Sequence, residues 1–366
     1  MVHLCTAPAP EPRWATGGRR RQARFGRLVG APCRWASFRG RARSPAGTNR
    51  SRVALRRLGL SPHFARGRCL WIRRPVCRRA RSPARQRALP AHAPFAESPM
   101  THSLFARRSL VGMVHVGALP GTPRGCEDLD SITTRACDEA RLLEDAGFDA
   151  VIIENMHDRP YLHGDKMGPE VVAGMTLISA KVAEAIDIPF GVQILSGGNR
   201  HALAVAHAAG GRFIRCENFV FSHVADEGLL PEAEAGALLR YRRHIGAEHV
   251  AICCDVKKKH ASHAITADLS LADCIEAAEF FGADAVIITG TATGKPTSVD
   301  DVATARRSTR LPVMVGSGVT PETVAPLFEH ADALVVGSYL KRDGLWSNAL
   351  DPHRCEAIVN AAAAAR

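Results

Sequence analysis

Three acidic residues stand at the C-terminal ends of three separate apolar segments, and they are the strongest candidates for catalytic residues. They are Glu154, Glu217 and Asp255. Carboxylates that converge on one site act as general acid and base, or hold a divalent cation. Each could instead cap a helix or pair with a nearby Lys or Arg, yet we expect at least one of the three to be catalytic. No cofactor is certain from the sequence, and a divalent cation held by Glu154 and Asp255 is the one it suggests.

Basic side chains follow Asp255 in a run of three lysines. Lys257 and Lys259 could stabilise an anion or form a Schiff base. For Lys258 we favour a solvated charge with no chemical role. His115, at the end of the first apolar run, is either an acid–base catalyst or a hydrogen-bonded core histidine.

Glycine and serine follow the last two apolar runs. Backbone N–H groups in such loops, beside helix N-termini, form the phosphate sites of many barrels. The alternative is that the glycines only allow tight turns. The candidate phosphate-binding residues are Gly316, Ser317, Gly318, Gly337, Ser338, Thr291 and Gly294. Four further polar residues are expected around the same site, namely Asn155, Gln193, Asn218 and Thr289.

These candidates lie at or just beyond the ends of predicted β-strands. The sequence Gly-Phe-Asp-Ala-Val-Ile-Ile at 147–153 recurs as Gly-Ala-Asp-Ala-Val-Ile-Ile at 282–288, each time after an amphipathic helical segment. Glycine allows the left-handed turn that ends a helix. The unbroken apolar run that follows is typical of a strand covered on both faces, as in a parallel sheet. Strands are predicted over residues 110–118, 150–155, 190–195, 213–219, 250–256, 285–290, 312–316 and 333–339.

Eight strands alternating with helices predict an α/β fold, a single (β/α)8 TIM barrel over residues 109–366. The alternative is a doubly wound open sheet, but no G-x-G-x-x-G follows the first strand, so its dinucleotide-binding version has little support. In a TIM barrel the C-terminal ends of all strands meet at one mouth, which would bring the candidate residues together. The loop at 163–166 is long enough to fold over that mouth as a lid.

Residues 1–108 differ in composition from the rest. They hold 25 Arg, no Lys and two acids, whereas the other 258 residues hold 23 basic and 34 acidic side chains. We predict a disordered extension. It could be a misassigned start, with the true start at Met100 or Met113 and the protein in the cytoplasm. It could be a transit segment to the mitochondrial matrix, or an arm that binds nucleic acid.

The partners expected for the barrel follow from the same reading. A small phosphorylated ligand is expected and nucleic acid is not, while a homo-oligomer is left open. No run of about 18 apolar residues occurs, so no membrane span is predicted.

Nine short segments between residues 110 and 360 carry a resemblance to a known family. They are 112–115, 119–123, 154–155, 213–215, 226–228, 255–260 (Asp-Val-Lys-Lys-Lys-His), 289–294 (Thr-Gly-Thr-Ala-Thr-Gly), 316–319 and 336–338. Together they resemble the BtpA family, most of all its animal mitochondrial-type members. The family is grouped with ribulose-phosphate-binding barrels and takes its name from a cyanobacterial role in photosystem I accumulation. The chain departs from the bacterial pattern at 193–199 and 216–219, so the resemblance assigns no role to Glu217.

The leading hypothesis is an enzyme that acts on a small phosphorylated metabolite, either a sugar phosphate or a nucleoside-derived compound. Acids and lysine at a barrel mouth suit isomerisation, aldol-type cleavage or hydrolysis. One alternative is a non-catalytic assembly or stability factor of the BtpA type. Another is a ligand-binding sensor. A large exposed apolar patch would favour the assembly factor.

Overall fold

The computed structural model describes residues 104–105, 108–290 and 296–366. Most of the Arg-rich extension, together with the candidate phosphate-binding residues Thr291 and Gly294, lies outside the described residues. The predictions for those parts of the chain stay predictions.

Eight parallel strands form a closed barrel, which confirms the predicted TIM fold. Each strand pairs with the next in sequence, and the last pairs with the first through Ser109–Ala333 and the residues that follow. Nearly every strand residue is buried, as expected for strands covered on both faces. The strands are β1 Ser109–His115, β2 Ala150–Glu154, β3 Phe190–Gln193, β4 Phe213–Cys216, β5 Ala251–Val256, β6 Ala285–Ile288, β7 Val313–Val315 and β8 Ala333–Val336.

Eight helices in the described part of the chain surround these strands. They are α1 Leu129–Ala146, α2 Pro169–Ala185, α3 Asn199–Ala209, α4 Ala235–His244, α5 Leu271–Phe280, α6 Val299–Ser308, α7 Pro321–Phe328 and α8 Pro352–Ala365. Capping residues determine where these helices begin and end, as α1 illustrates. Asp128 caps α1 by accepting from the Ser131 N–H, and Gly147 ends it in the left-handed conformation. None of the described helices combines the length and the apolar character that crossing a membrane requires.

The repeated Gly-x-Asp-Ala turn has a specific structural role. Its aspartate precedes a strand and accepts a hydrogen bond from a backbone N–H of the strand before it. Asp149 accepts from Leu110 at 2.7 Å, and Asp284 accepts from Ile252 at 2.8 Å. The similar segment Ala331-Asp332-Ala333, before β8, has the same role, because Asp332 accepts from the Val313 N–H at 2.9 Å. The repeat therefore ties adjacent strands together at the N-terminal end of the barrel.

The core has two layers. One lies between the strands and the helices, and the smaller one fills the barrel interior. In the interior Phe105 packs edge-on against Phe213, at the start of β4, with ring centroids 5.2 Å apart. Apolar side chains therefore fill the N-terminal half of the barrel, and polar side chains are left to gather at the C-terminal mouth.

Three loops at the mouth carry structure that the sequence does not predict. The segments His223–Ala225, Gly228–Leu230 and Ala261–Ser262 form a small antiparallel sheet, contributed by the loops after β4 and β5. The loop after β2 contains the short 3-10 helix Gly164–Lys166, which packs so closely on Gly197 that a Cβ on Gly164 would meet the Gly197 carbonyl. The part of that loop facing the mouth is the earlier part, around Arg159 and Tyr161.

Candidate active site at the barrel mouth

A cavity of about 490 Å³ opens at the C-terminal ends of the strands. Most of the residues predicted from the sequence line it, contributed by strands β1, β2, β3 and β5 and by the loops after β4, β5, β7 and β8. These residues are His115, Glu154, Gln193, Glu217, Asp255, Lys259, Gly316, Ser317, Gly318, Gly337 and Ser338. The fold thus brings together side chains that are up to 223 positions apart in the sequence.

Four predicted residues lie outside the cavity lining. Asn155 bridges two loops by accepting from the Leu195 N–H at 2.7 Å and donating to Asp158 at 3.0 Å. The Lys257 ammonium donates to the Leu269 carbonyl at 2.5 Å, and Asn218 donates to the Glu232 carbonyl at 2.6 Å. Thr289 accepts from the Lys259 N–H at 3.0 Å. All four shape the loops around the cavity.

Glu154 and His115 form a pair of groups suited to proton transfer. Burial raises the pKa of Glu154 to about 7. Burial, with the nearby Lys341 charge, lowers the pKa of His115 to about 3, so this ring is neutral. His115 Nδ1 lies 3.0 Å from the Trp346 carbonyl, which can only accept, so Nδ1 carries the ring proton. His115 Nε2 is therefore unprotonated, and it faces Glu154 Oε2 at 3.7 Å.

Asp255 is held in a buried ion pair. The Arg215 guanidinium contacts both of its carboxylate oxygens at 3.1 to 3.2 Å. Burial raises the pKa of Asp255, and the Arg215 charge opposes that rise. The geometry corresponds to the alternative in which this acid pairs with a local Arg. No three His, Cys, Asp or Glu side chains in the described ranges are grouped so that they could hold a metal ion, so Glu154 and Asp255 find no third ligand of these types there.

Lys258 is buried, contrary to the solvated charge expected for it. Only 8% of this residue is exposed. Its ammonium lies 2.9 Å from Glu217 Oε1, and Glu217 Oε2 accepts from the Gly197 N–H at 2.9 Å. Burial disfavours the charged forms of both Glu217 and Lys258. The Lys258 ammonium nevertheless lowers the pKa of Glu217. The expectation fails because the turn after β5 directs this one lysine of the three toward β4.

Three cations that line the cavity have no ion-pair partner among the described residues. Lys259 has no acceptor for its ammonium, and burial, followed by the Arg215 charge, lowers its pKa to about 8. Arg159 stacks over Trp346 at 4.4 Å from the ring centroid. Arg354, in the first turn of α8, stacks over Tyr339 and donates to its carbonyl at 2.9 Å. Such cations are available to an anionic ligand.

The acids at the turn of the small sheet line the cavity as well. Asp226 is exposed to solvent, and Glu227 is partly buried. They add negative charge on the side of the mouth formed by the hairpin, so the cavity is not uniformly positive.

The Gly/Ser loops after β7 and β8 lie on the cavity wall. A Cβ on Gly316 would come within 2.6 Å of Ile287 and 3.1 Å of the Arg215 guanidinium, so only glycine fits there. Gly318 has a φ of 68°, in the left-handed region. Gly318 and Ser338 both line the cavity, and neither N–H has an acceptor among the described residues.

One buried acceptor in the cavity lacks a partner. Gln193, at the end of β3, is 2% exposed, and its Oε1 meets no donor among the described residues. An unpaired buried polar atom is costly, so its presence on a cavity wall indicates a donor supplied by a ligand or by water.

Three functional candidates were missed by the sequence reasoning, namely Arg215, Trp346 and Arg354. Arg215 carries a detectable signal, because it is a charged residue inside an apolar run. Trp346 and Arg354 are brought to the mouth by the chain after β8, and no local pattern marks them.

Known proteins resemble this chain along the barrel. A model of the BtpA family matches residues 106–364. An uncharacterized mitochondrial protein of Caenorhabditis elegans is 42% identical over 254 residues, which are 68% of this chain and 91% of the worm protein. The photosystem I biogenesis protein BtpA of Synechocystis is 36% identical over 257 residues, which are 69% of this chain and 88% of that protein. These matches confirm the resemblance carried by the nine segments.

Among solved structures, thiamine phosphate pyrophosphorylase of Pyrococcus furiosus is similar over 72% of this chain and 98% of its own, with a TM-score of 0.45 and 11% sequence identity.

Proposed function

The chain belongs to the BtpA family, and we propose that it is an enzyme acting on a small phosphorylated metabolite at the barrel mouth. The metabolite would be a sugar phosphate or a nucleoside-derived compound. The observation that supports this most is the set of three cations, Lys259, Arg159 and Arg354, that line one cavity without ion-pair partners among the described residues. A phosphate group supplies both the negative charge and the acceptor oxygens that would pair with such cations.

The Gly/Ser loops give the phosphate a place to bind. The N–H groups of Gly318 and Ser338 have no acceptor among the described residues, and Gly316 allows the backbone to pass close to Arg215. Loops in this position of a TIM barrel commonly bind phosphate. The rest of the ligand would then extend toward Glu154 and Gln193 on the opposite strands.

Glu154 is the proposed general acid–base group. With a pKa of about 7, it is present in both protonation states near neutral pH, so it can accept a proton and return it. Neutral His115 beside it offers an unprotonated nitrogen. Proton transfer of this kind serves isomerisation or aldol-type cleavage of a sugar phosphate, and hydrolysis is the third reaction that suits this set of groups.

A thermal-shift screen of phosphorylated metabolites against the full chain tests the proposal. Ser338→Asp places a negative charge at the anion site, and Ser338 is only partly buried, so the fold should tolerate it. We expect this variant to lose the stabilisation that binding gives, because phosphate and carboxylate repel. Thr134→Asp adds the same charge on the exposed surface of α1 and should keep the stabilisation.

Calorimetry then measures the affinity of both variants for any compound found in the screen. Unchanged affinity in folded Ser338→Asp would show that the phosphate does not bind at the Gly/Ser loops.

A second candidate function is a non-catalytic assembly factor. It is favoured by the name of the Synechocystis relative, a photosystem I biogenesis protein, and by exposed apolar residues such as Phe280, which is 85% exposed. Replacing Glu154 by Gln distinguishes the two candidate functions. An assembly factor would keep its function in this variant, whereas the proposed enzyme would lose its turnover.

The mitochondrial matrix is the proposed location. The worm relative is named as mitochondrial, and the Arg-rich extension has the composition of a transit segment.

A further inference from the structure

We propose that Lys259 forms an imine with a carbonyl carbon of the bound ligand, which makes the substrate a phosphorylated aldehyde or ketone. This inference rests on the proposed function, because it assigns covalent chemistry to the same cavity.

The three consecutive lysines after β5 have three different environments. Lys257 donates to the Leu269 carbonyl and lies outside the cavity lining. Lys258 is held by Glu217 at 2.9 Å. Lys259 alone of the three lines the cavity with an ammonium that meets no acceptor in the described ranges. An amine without a partner is the one of the three that can act as a nucleophile.

The backbone holds Lys259 in a defined position. Its N–H donates to Thr289 Oγ1 at 3.0 Å. Lys257 and His260, on either side of the Lys258–Lys259 pair, have φ values of 46° and 56°. These are left-handed conformations that ordinary residues rarely adopt, and they cluster at functional sites. The turn therefore holds Lys259 at a fixed place on the cavity wall.

The electrostatics of the cavity favour the neutral amine that imine formation needs. Burial and the Arg215 charge lower the pKa of Lys259 to about 8. Roughly a tenth of such an amine is neutral at pH 7, compared with well under a thousandth for an ordinary lysine. Glu154 lines the same cavity, and its carboxyl group is protonated about half the time near pH 7.

The chemistry balances with the groups present. The Nζ lone pair adds to the carbonyl carbon, and a proton passes from Nζ to the carbonyl oxygen to give a neutral carbinolamine. The Glu154 carboxyl group then donates its proton to the hydroxyl, which leaves as water, so that a protonated imine and the Glu154 carboxylate remain. In net terms one amine, one carbonyl group and one proton give one protonated imine and one water. The protonated imine withdraws electrons, so Glu154 as carboxylate could next remove a proton from the adjacent carbon.

Borohydride trapping tests the inference. The full chain is incubated with dihydroxyacetone phosphate or glycolaldehyde phosphate near pH 7.5 and reduced with sodium borohydride, which converts the imine into a stable secondary amine. Peptide mass spectrometry then compares labelling of Lys259 with that of Lys181, a half-exposed lysine on α2. We expect labelling at Lys259 to exceed that at Lys181 by about ten-fold or more, because far more of the Lys259 amine is neutral. Inorganic phosphate should suppress the labelling.

Two variants separate covalent chemistry from simple attraction of an anion. Lys259→Arg keeps the positive charge but cannot form an imine, so it should lose the adduct and keep the thermal stabilisation by phosphorylated compounds. Lys181→Arg should keep both.

Equal labelling of Lys259 and Lys181 would overturn the inference, as would labelling of Lys259 that inorganic phosphate does not reduce. If phosphorylated compounds still stabilise the protein in that case, the proposed phosphate site stands and only the imine is rejected. If they do not, the proposed function fails as well.

Discussion

Replacing Glu154 by Gln should make the protein more stable at alkaline pH while it removes activity. Glutamine has nearly the same shape and stays neutral at all pH values. The pKa of Glu154 is raised from 4.5 to about 7, with burial as the main cause. At about 1.36 kcal/mol per pKa unit, ionising this group in the folded protein costs roughly 3 kcal/mol.

The sign of the pH dependence follows from that rise. The folded protein holds the proton more tightly than the unfolded chain, so wild-type stability falls as pH increases above 4.5 and levels off above about 7. The Gln variant lacks this loss. It should match the wild type below about pH 4 and exceed it by up to roughly 3 kcal/mol near about pH 8, which is roughly 6–12 °C in Tm for a domain of this size.

Urea unfolding of both proteins across this pH range measures the difference. Glu217→Gln is the matched control with the opposite sign. It removes the partner of buried Lys258, so it should cost about 3–5 kcal/mol at neutral pH. Once a substrate is known, turnover by Glu154→Gln should fall by about 100-fold or more. Parallel stability curves for the wild type and Glu154→Gln would refute the reasoning, because they would mean that Glu154 is ionised without cost.

Three further predictions concern other parts of the molecule. Asp255→Asn should lower the free energy of unfolding by about 3–5 kcal/mol, since it leaves the Arg215 charge buried without a partner; urea unfolding that shows no loss would contradict the importance of this pair. The sequence alone suggests retained stability, on the argument that carboxylates clustered at a mouth repel one another, and the Arg215 pair reverses that expectation. Limited proteolysis should leave a resistant core that starts near residues 100–112, because the composition changes near residue 108; a protected fragment reaching well into residues 1–90 would rule this out. Fractionation of cells that express the full chain should place it in mitochondria with the extension removed, and a cytosolic protein of full length would exclude the transit interpretation.

The fold was predictable because the signals that specify it are local. The Gly-x-Asp-Ala turns and unbroken apolar runs identify strands one after another, and their aspartates turn out to tie neighbouring strands together. The strand ends were less predictable. Val116, Leu119 and Phe219 are buried although they lie beyond the strands, because the loops at the mouth pack on the helices. Apolar character therefore extends past the point where the ladder of hydrogen bonds stops.

The sequence predicts which residues lie at the site, but not which of them pair with one another. Acids at strand ends must converge in a barrel, and Glu154, Glu217 and Asp255 do line one cavity. Their pairing was not predictable, since it depends on which way each side chain of the turn after β5 points. The contact of His115 with the Trp346 carbonyl joins residues 231 positions apart, and no sequence pattern reports it.

The pairing pattern explains how one cavity can be lined by five carboxylates and five Lys or Arg side chains and still distinguish their roles. Arg215 with Asp255 and Lys258 with Glu217 are mutually neutralised, so these four side chains fix the shape and the field of the mouth. Among the described residues Glu154 has no Lys or Arg this close, and burial keeps it largely protonated below neutral pH. Lys259 likewise has no carboxylate this close in that part of the chain, and burial makes its proton easier to lose. An acid that holds its proton and an amine that releases its own, placed in one cavity, are the combination that imine formation requires.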